Sequence, residues 1–294
     1  MSYRAGFISI IGQPNVGKST LLNQILGQKI AIITDKPQTT RNRILGVYHF
    51  SEGQMVFLDT PGIHQARGGL NRRMVQTAFA TLQEIDLVLF VIDPLKKGNA
   101  TDLLIKNHLR KINTPQILVV NKIDILDPNQ LVTQLDRSSR EEGFSEVIPL
   151  SALTGKNVDR LLTLLKSYLP EGSPFFPEDI VTDQPIRFLA SEIVREKLIQ
   201  ETHEEVPYII ATQIESFKED LKRNLATIHI TLYVESNSQK GIIIGRKGQM
   251  LKKIGGAARR ELEALLGMKV FLGLWVKVRR GWRSDERFLN QMGY

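Results

Sequence analysis

Apolar residues in the first half of the chain gather in short runs, and between the runs they recur every three or four positions. The runs predict strands at 7–12, 43–49, 55–59, 87–93, 116–121 and 146–150. The spaced pattern predicts helices at 18–26, 70–82, 101–111 and 158–169. Strand–helix alternation of this kind predicts an α/β domain over residues 1–169, with a mostly parallel sheet and helices on both faces. The pattern then breaks at Pro170-Glu-Gly-Ser-Pro174-Phe-Phe-Pro177. Prolines so closely spaced stop a helix and predict a stiff, extended linker, taken as 170–182. Beyond it the order changes to a helix at 183–201, strands at 208–216 and 226–234, a helix at 247–266 and a strand at 269–279. That is a separate α+β domain over 183–294.

Composition narrows the class. The chain has 294 residues, 42% hydrophobic and 24% charged, which suits a soluble two-domain protein. It contains no cysteine, so disulfides, thiolate metal sites and cysteine nucleophiles are excluded. No apolar run approaches the ~18 residues of a membrane-spanning helix. The first apolar run is too short for a signal-peptide core, so the expectation is a cytoplasmic protein whose mature form begins at or near residue 1. The net charge of +8 is unevenly spread. Residues 171–235 carry six basic and thirteen acidic side chains (net −7), whereas residues 236–294 carry thirteen basic and four acidic (net +9). A strongly basic final fifth points to an anionic partner.

The first strand runs into Gly12, Gln13, Pro14, Asn15, Val16, Gly17, Lys18, Ser19 and Thr20. This is G-x-x-x-x-G-K-S between a strand and a helix, the arrangement in which backbone amides surround phosphate oxygens. The helix N-terminus adds partial positive charge. Lys18 is expected at the β- and γ-phosphates and the Ser19 hydroxyl on Mg²⁺. Asp59-Thr60-Pro61-Gly62 closes another strand. Asp59 there can hold Mg²⁺, and the Gly62 amide can meet the γ-phosphate. Asn121-Lys122-Ile123-Asp124 follows the strand at 116–120. A carboxylate at Asp124 accepts from the ring N–H and the exocyclic amine of guanine, and adenine would leave it unsatisfied, a discrimination of roughly 10⁴. Asn121 would contact the base edge and bridge to the phosphate loop, with the Lys122 stem over the base plane. Ser151-Ala152 would offer a backbone N–H to the guanine carbonyl. Each element ends a strand, and ligands of open α/β sheets bind at that edge. Over residues 5–169 the joint pattern resembles the P-loop GTPases.

That resemblance makes Lys36-Pro-Gln-Thr39-Thr40-Arg41 the first switch, with Thr40 preferred to Thr39 as the hydroxyl on Mg²⁺. Lys18, Thr40 and Gly62 are then the catalytic candidates, and Ser19, Thr40 and Asp59 the Mg²⁺ set. Ile63 stands where many GTPases place a Gln that orients water. An alkyl side chain cannot do this, so backbone groups, a monovalent cation or a partner must. Asn15 resembles the loop asparagine of relatives that bind K⁺ beside the phosphates. Unaided turnover is expected on the order of 10⁻⁴ to 10⁻² s⁻¹. His64 reads as a solvated loop residue.

In the basic fifth, Gly245-Arg246-Lys247-Gly248 lies between an apolar run and a basic amphipathic helix bearing Lys252, Lys253, Arg259 and Arg260. A G-x-x-G turn lets backbone approach a sugar–phosphate chain, and the order of elements resembles a type II KH domain. Arg279-Arg-Gly-Trp282-Arg283 adds a basic, aromatic cluster, in which Trp282 stacks on a base or anchors the core. The alternative left open is a GTP-dependent switch whose C-terminal domain docks on a protein partner or a membrane surface.

A P-loop GTPase domain followed by a proline-rich joint and a KH domain resembles the bacterial Era GTPases over nearly the whole chain. The resemblance implies a GTP phosphohydrolase that acts in small-subunit (30S) ribosome assembly and rRNA maturation. Its partners would be GTP or GDP, the 30S subunit and small-subunit rRNA near its 3′ end. It also implies a cytoplasmic monomer with peripheral contact at the inner face of the membrane.

Overall fold

The computed structural model describes residues 2–64, 68–96 and 100–294. They form two compact units: Met1–Ala31 with Thr40–Arg67 and Asn71–Asp183, and Ile32–Thr39 with Gly68–Leu70 and Gln184–Tyr294.

The first unit is built on β1 (Arg4–Ile11), β2 (Ile44–Phe50), β3 (Gly53–Asp59), β4 (Leu87–Ile92), β5 (Gln116–Val120) and β6 (Glu146–Pro149). The sheet order is β2-β3-β1-β4-β5-β6, parallel throughout except for the β2–β3 hairpin. Every residue from Leu87 to Val91 is fully buried. A strand covered on both faces has no polar side to present, which is why it reads as an unbroken apolar run. On one face Ala78 of α2 (Gly69–Ala80), together with Ile105 and Leu109 of α3 (Ala100–Leu109), packs on Val88, Phe90 and Leu118. The other helices are α1 (Lys18–Leu26), α4 (Pro128–Ser139) and α5 (Val158–Tyr168). The apolar pattern does not predict α4, because most of its residues are exposed. Local chemistry starts it instead: Asp127 accepts from the Gln130 amide in a reciprocal capping box, and Pro128 follows at the first helical position.

The proline-rich segment is not a free connector. Its chain pairs along the first unit: Ala5 N–H donates to the Pro170 carbonyl (3.2 Å), Gly172 N–H to Tyr3 O (3.0 Å) and Val47 N–H to Val181 O (2.8 Å). Buried Gln54 accepts from the Phe175 and Phe176 amides and donates to Phe176 O, at 2.6, 3.0 and 2.9 Å. Residues 170–182 thus form a strap on β1–β3. The reason is that β2 is an edge strand, whose spare backbone groups the strap satisfies.

The second unit has α6 (Ile186–Glu201), β7 (Ala211–Asp220), β8 (Leu225–Val234), α7 (Asn237–Ile244), α8 (Gln249–Leu266), β9 (Lys269–Val278) and α9 (Glu286–Gln291). β8 is central, antiparallel to β7 and parallel to β9. The core joins Ala190, Val194 and Leu198 of α6 to Ile254, Ala258 and Leu262 of α8, over Ile228, Ile230, Leu232 and Val234 of β8. Spacing of four on the helices and two on the strand puts each set on a single face. One predicted detail changes. Residues 206–208 form a 3₁₀ turn, so the strand expected from 208 starts at Ala211. The apolar run before the G-x-x-G turn is helical, because Ser236 and Gln239 form a capping box that starts α7.

Residues 32–39 group with this unit. The Ile33 amide donates to Glu196 Oε1 (2.9 Å) and Arg195 Nη2 donates to Thr39 O (2.5 Å). Arg195 is fully buried and held by both carboxylate oxygens of Glu192, at 2.7 and 2.5 Å. Leu262→Ala would remove a fully buried side chain from the α6–α8 seam. The expected loss is about 2–5 kcal/mol, read from the shift in the denaturant midpoint of this unit.

Candidate functional site

Parallel strands bring their C-terminal ends to one edge, and the predicted nucleotide residues lie there. The loop from Gly12 turns directly into α1 at Lys18. Gly17 has φ 98°, and a Cβ on it would lie 2.2 Å from Asn121 Nδ2. Only glycine gives both the left-handed backbone and the clearance.

Lys18 is buried and donates to Gly12 O (3.3 Å) and Gln13 O (3.0 Å). Burial lowers its ammonium to about 8, against the pull of Asp59. Burial likewise raises the Asp59 carboxyl to about 6, opposed by Lys18 and the Ser19 hydroxyl. Ser19 Oγ donates to Asp59 Oδ2 (2.6 Å) and lies 2.8 Å from Thr40 Oγ1. Among the described residues, Asp59 Oδ1 is buried with no hydrogen-bond partner. Three oxygen ligands with an uncompensated carboxylate oxygen beside a phosphate loop fit a hard divalent cation such as Mg²⁺, which takes one or two carboxylates plus phosphate oxygens and water. Thr39 is not in this cluster, because its hydroxyl bonds Thr34 Oγ1 (2.6 Å) and Lys36 O (2.7 Å).

Thr60 donates to Ile10 O (2.8 Å) and is fully buried, which anchors the turn through Pro61. A Cβ on Gly62 would come within 2.7 Å of Pro14, so this turn lies against the phosphate loop. Ile63 is fully buried and its amide donates to Gly12 O (3.1 Å). Asn15 holds a positive φ of 61° at the loop's crest.

At the base end, Asn121 Nδ2 donates to Val16 O (2.7 Å) and its Oδ1 accepts from Ala152 N–H (2.8 Å). A backbone N–H of Ser151-Ala152 is expected at the guanine carbonyl; in this structure the Ala152 amide donates to Asn121 and the Ser151 amide to Lys156 O (3.0 Å). Ser151 is fully buried. Lys122 also has positive φ, 61°, and its ammonium bonds Asp93 Oδ2 (2.7 Å). Asp124 is exposed on the 3₁₀ turn Ile123–Ile125, not buried. At the sheet's rim the turn leaves this side chain open to solvent. Sequence patterns missed Asp93 and Lys96: Lys96 Nζ donates to Pro14 O (2.8 Å) and so braces the loop from outside. Their signal was positional, since Asp93 ends a strand at the ligand-binding edge.

The G-x-x-G residues form a 3₁₀ turn, Arg246–Gly248, between α7 and α8, with Gly245 at φ 71°. A Cβ on Gly245 would meet Met250 Cβ at 2.6 Å. Arg246 and Lys247 are exposed at its tip. A groove of about 560 Å³ runs from Gly248 past Lys252, Gly255 and Arg259 to Phe271 and Leu274. Lys253 turns the other way, to an ion pair with Glu201, because the next helical position lies about 100° around the axis. Arg279 is bound to Asp285 (2.6 Å) and Arg283 to Glu235 (2.6 Å). Trp282 is fully buried, donates to Ile209 O (3.1 Å) and packs on Phe288, so it anchors the core.

A family described as 50S ribosome-binding GTPase matches residues 7–122, and the KH domain family matches residues 205–283. GTPase Era of Geobacter metallireducens is 51% identical over 292 residues, covering 99% of this chain and 98% of that protein. Among solved structures, Era in complex with MgGDPNP and nucleotides 1506–1542 of 16S ribosomal RNA superposes with a TM-score of 0.96, at 44% identity over 99% of each chain. A variant of Aquifex aeolicus Era bound to GDP·AlF4− gives 0.95, again at 44% identity over 99% of each chain. With half its residues identical to a relative matched from end to end, the chain belongs to the Era family of GTPases.

Proposed function

We propose that this chain hydrolyses GTP and binds single-stranded RNA near the 3′ end of small-subunit rRNA, acting in 30S assembly and rRNA maturation. The observation that carries the reading is the oxygen cluster of Ser19, Thr40 and Asp59 beside buried Lys18, at the edge where Asn121 joins the phosphate loop to Ala152. The Era structure that holds MgGDPNP with 16S rRNA supports both halves.

The amides of residues 12–20 surround the phosphates, and Lys18 lies on the β- and γ-oxygens. Ser19, Thr40 and Asp59 hold Mg²⁺, which supplies charge neutralisation there. The Gly62 amide meets the γ-phosphate, and water attacks the γ-phosphorus in line with the leaving oxygen. Catalysis is positioning and charge stabilisation, with no covalent enzyme intermediate. The buried alkyl side chain of Ile63 cannot orient that water, so the task falls to backbone groups, to a monovalent cation such as K⁺, which Asn15 would hold and which would supply positive charge beside the phosphates, or to a partner. Asp124 selects guanine, and the base itself supplies the cover that the exposed turn lacks. Arg246, Lys247 and Lys252 lie on RNA phosphates around Gly245 and Gly248. The ion pair of Lys253 with Glu201 makes it a smaller contributor. The same reading makes the protein a cytoplasmic monomer that touches the inner membrane face peripherally. What supports it is the family's resemblance.

Lys18→Ala should abolish phosphate release while leaving the far-ultraviolet circular dichroism unchanged. Replacing K⁺ by Na⁺ should slow the wild type, and Asn15→Ala should show no such difference. Asp124→Asn replaces one of the two accepting oxygens by a donor that faces a guanine donor, so the preference for GDP over ADP, by isothermal titration, should fall from about 10⁴ toward unity. Arg246→Ala with Lys247→Ala should weaken binding of an unpaired RNA oligomer and reduce its log–log salt slope by about 1.4. An unchanged slope would remove the phosphate contacts from this turn.

A further inference from the structure

β9 has two faces. Val270, Leu272, Leu274 and Val276 pack on the core under α8. The opposite face carries, in alternation, Lys269, Phe271, Gly273, Trp275 and Lys277. Phe271 is 55% and Trp275 48% exposed. His229, paired with Gly273 across the β8–β9 ladder, completes a row of three rings, 5.8 Å from Phe271 and 4.9 Å from Trp275. The row depends on the glycine: a Cβ on Gly273 would stand 2.5 Å from His229 Nδ1 and 2.8 Å from the Trp275 ring. Among the described residues, His229 Nδ1 is buried with no hydrogen-bond partner. Exposed rings on an edge strand are an aggregation liability unless something uses them.

We propose that this row is a second RNA surface, on which bases stack as an unpaired strand leaves the G-x-x-G groove over the edge of β9. The inference rests on the groove being an RNA site, and it adds a surface outside that groove. Three observations favour RNA. Phe271 lines the groove and also begins the row, so the two surfaces are continuous. Lys269 and Lys277 bracket the rings, where phosphates of a stacked strand would pass; Lys277 also lies 3.6 Å from Glu215. The row contains rings and lysines and no aliphatic side chain, which suits flat π ligands better than a docked helix or strand. The His229 ring fills the space between the Phe271 and Trp275 rings, so the three form one continuous platform.

The chain has two tryptophans, and Trp282 is fully buried, so a change in emission on adding RNA reports Trp275. The full chain is titrated with unpaired RNA of four nucleotides, enough for the groove, and of ten. The ten-mer should quench the emission and the four-mer should leave it nearly unchanged. Trp275→Ala should weaken the ten-mer about tenfold and spare the four-mer, and Trp275→Phe should keep most of the affinity. Four-mer binding at the wild-type level also certifies that the variant is folded. Silent emission at saturation with the ten-mer, or equal loss for both lengths, overturns this inference and leaves the groove standing. Binding of neither length by the wild type overturns both.

Discussion

One buried side chain, Asn121, ties the nucleotide edge together. Its amide group donates to the Val16 carbonyl and accepts from the Ala152 amide, at 2.7 and 2.8 Å, and so joins the ends of three strands. Both partners are backbone groups beyond the reach of the sheet ladder. Unpaired and buried, each would cost about 1–3 kcal/mol. Gly17 is part of the same constraint, since only a residue without Cβ lets Asn121 pass the loop. Lys18 and Ser19, at the start of α1, follow directly on the loop that this amide holds.

The charges at that edge set it apart from an ordinary turn. Burial pushes Lys18 down to about 8 and Asp59 up to about 6, each toward its neutral form. A phosphate beside the ammonium and a cation beside the carboxylate favour the charged forms again, so the same burial that destabilises these groups raises their affinity for ligands of opposite sign. Lys96 and the Lys122–Asp93 pair carry the pattern outward along the loop.

In the second unit, local charge counts overstate the surface offered to an anion. The last fifth of the chain has net charge +9, but Lys253, Arg279 and Arg283 are held in ion pairs with Glu201, Asp285 and Glu235. What remains toward the groove is Arg246, Lys247 and Lys252, while Arg259 lies 3.8 Å from Glu263. The helical period decided this partition: adjacent lysines at 252 and 253 necessarily point to different neighbours.

Strand-buried runs, four-residue helical spacing and the phosphate-loop and G-x-x-G signatures were legible without coordinates, because they are set by local backbone geometry and by burial on a fixed period. So were the nucleotide motifs, whose meaning comes from ending parallel strands. Helix α4 and helix α7 were missed, since capping boxes rather than apolar stripes start them. Only the tertiary structure decided that Thr40, not Thr39, meets Ser19, that residues 170–182 strap an edge strand, and that Trp282 fills the core while Trp275 faces outward. Each of these depends on a partner distant in sequence, and no periodicity within a segment carries the position of a neighbour from another.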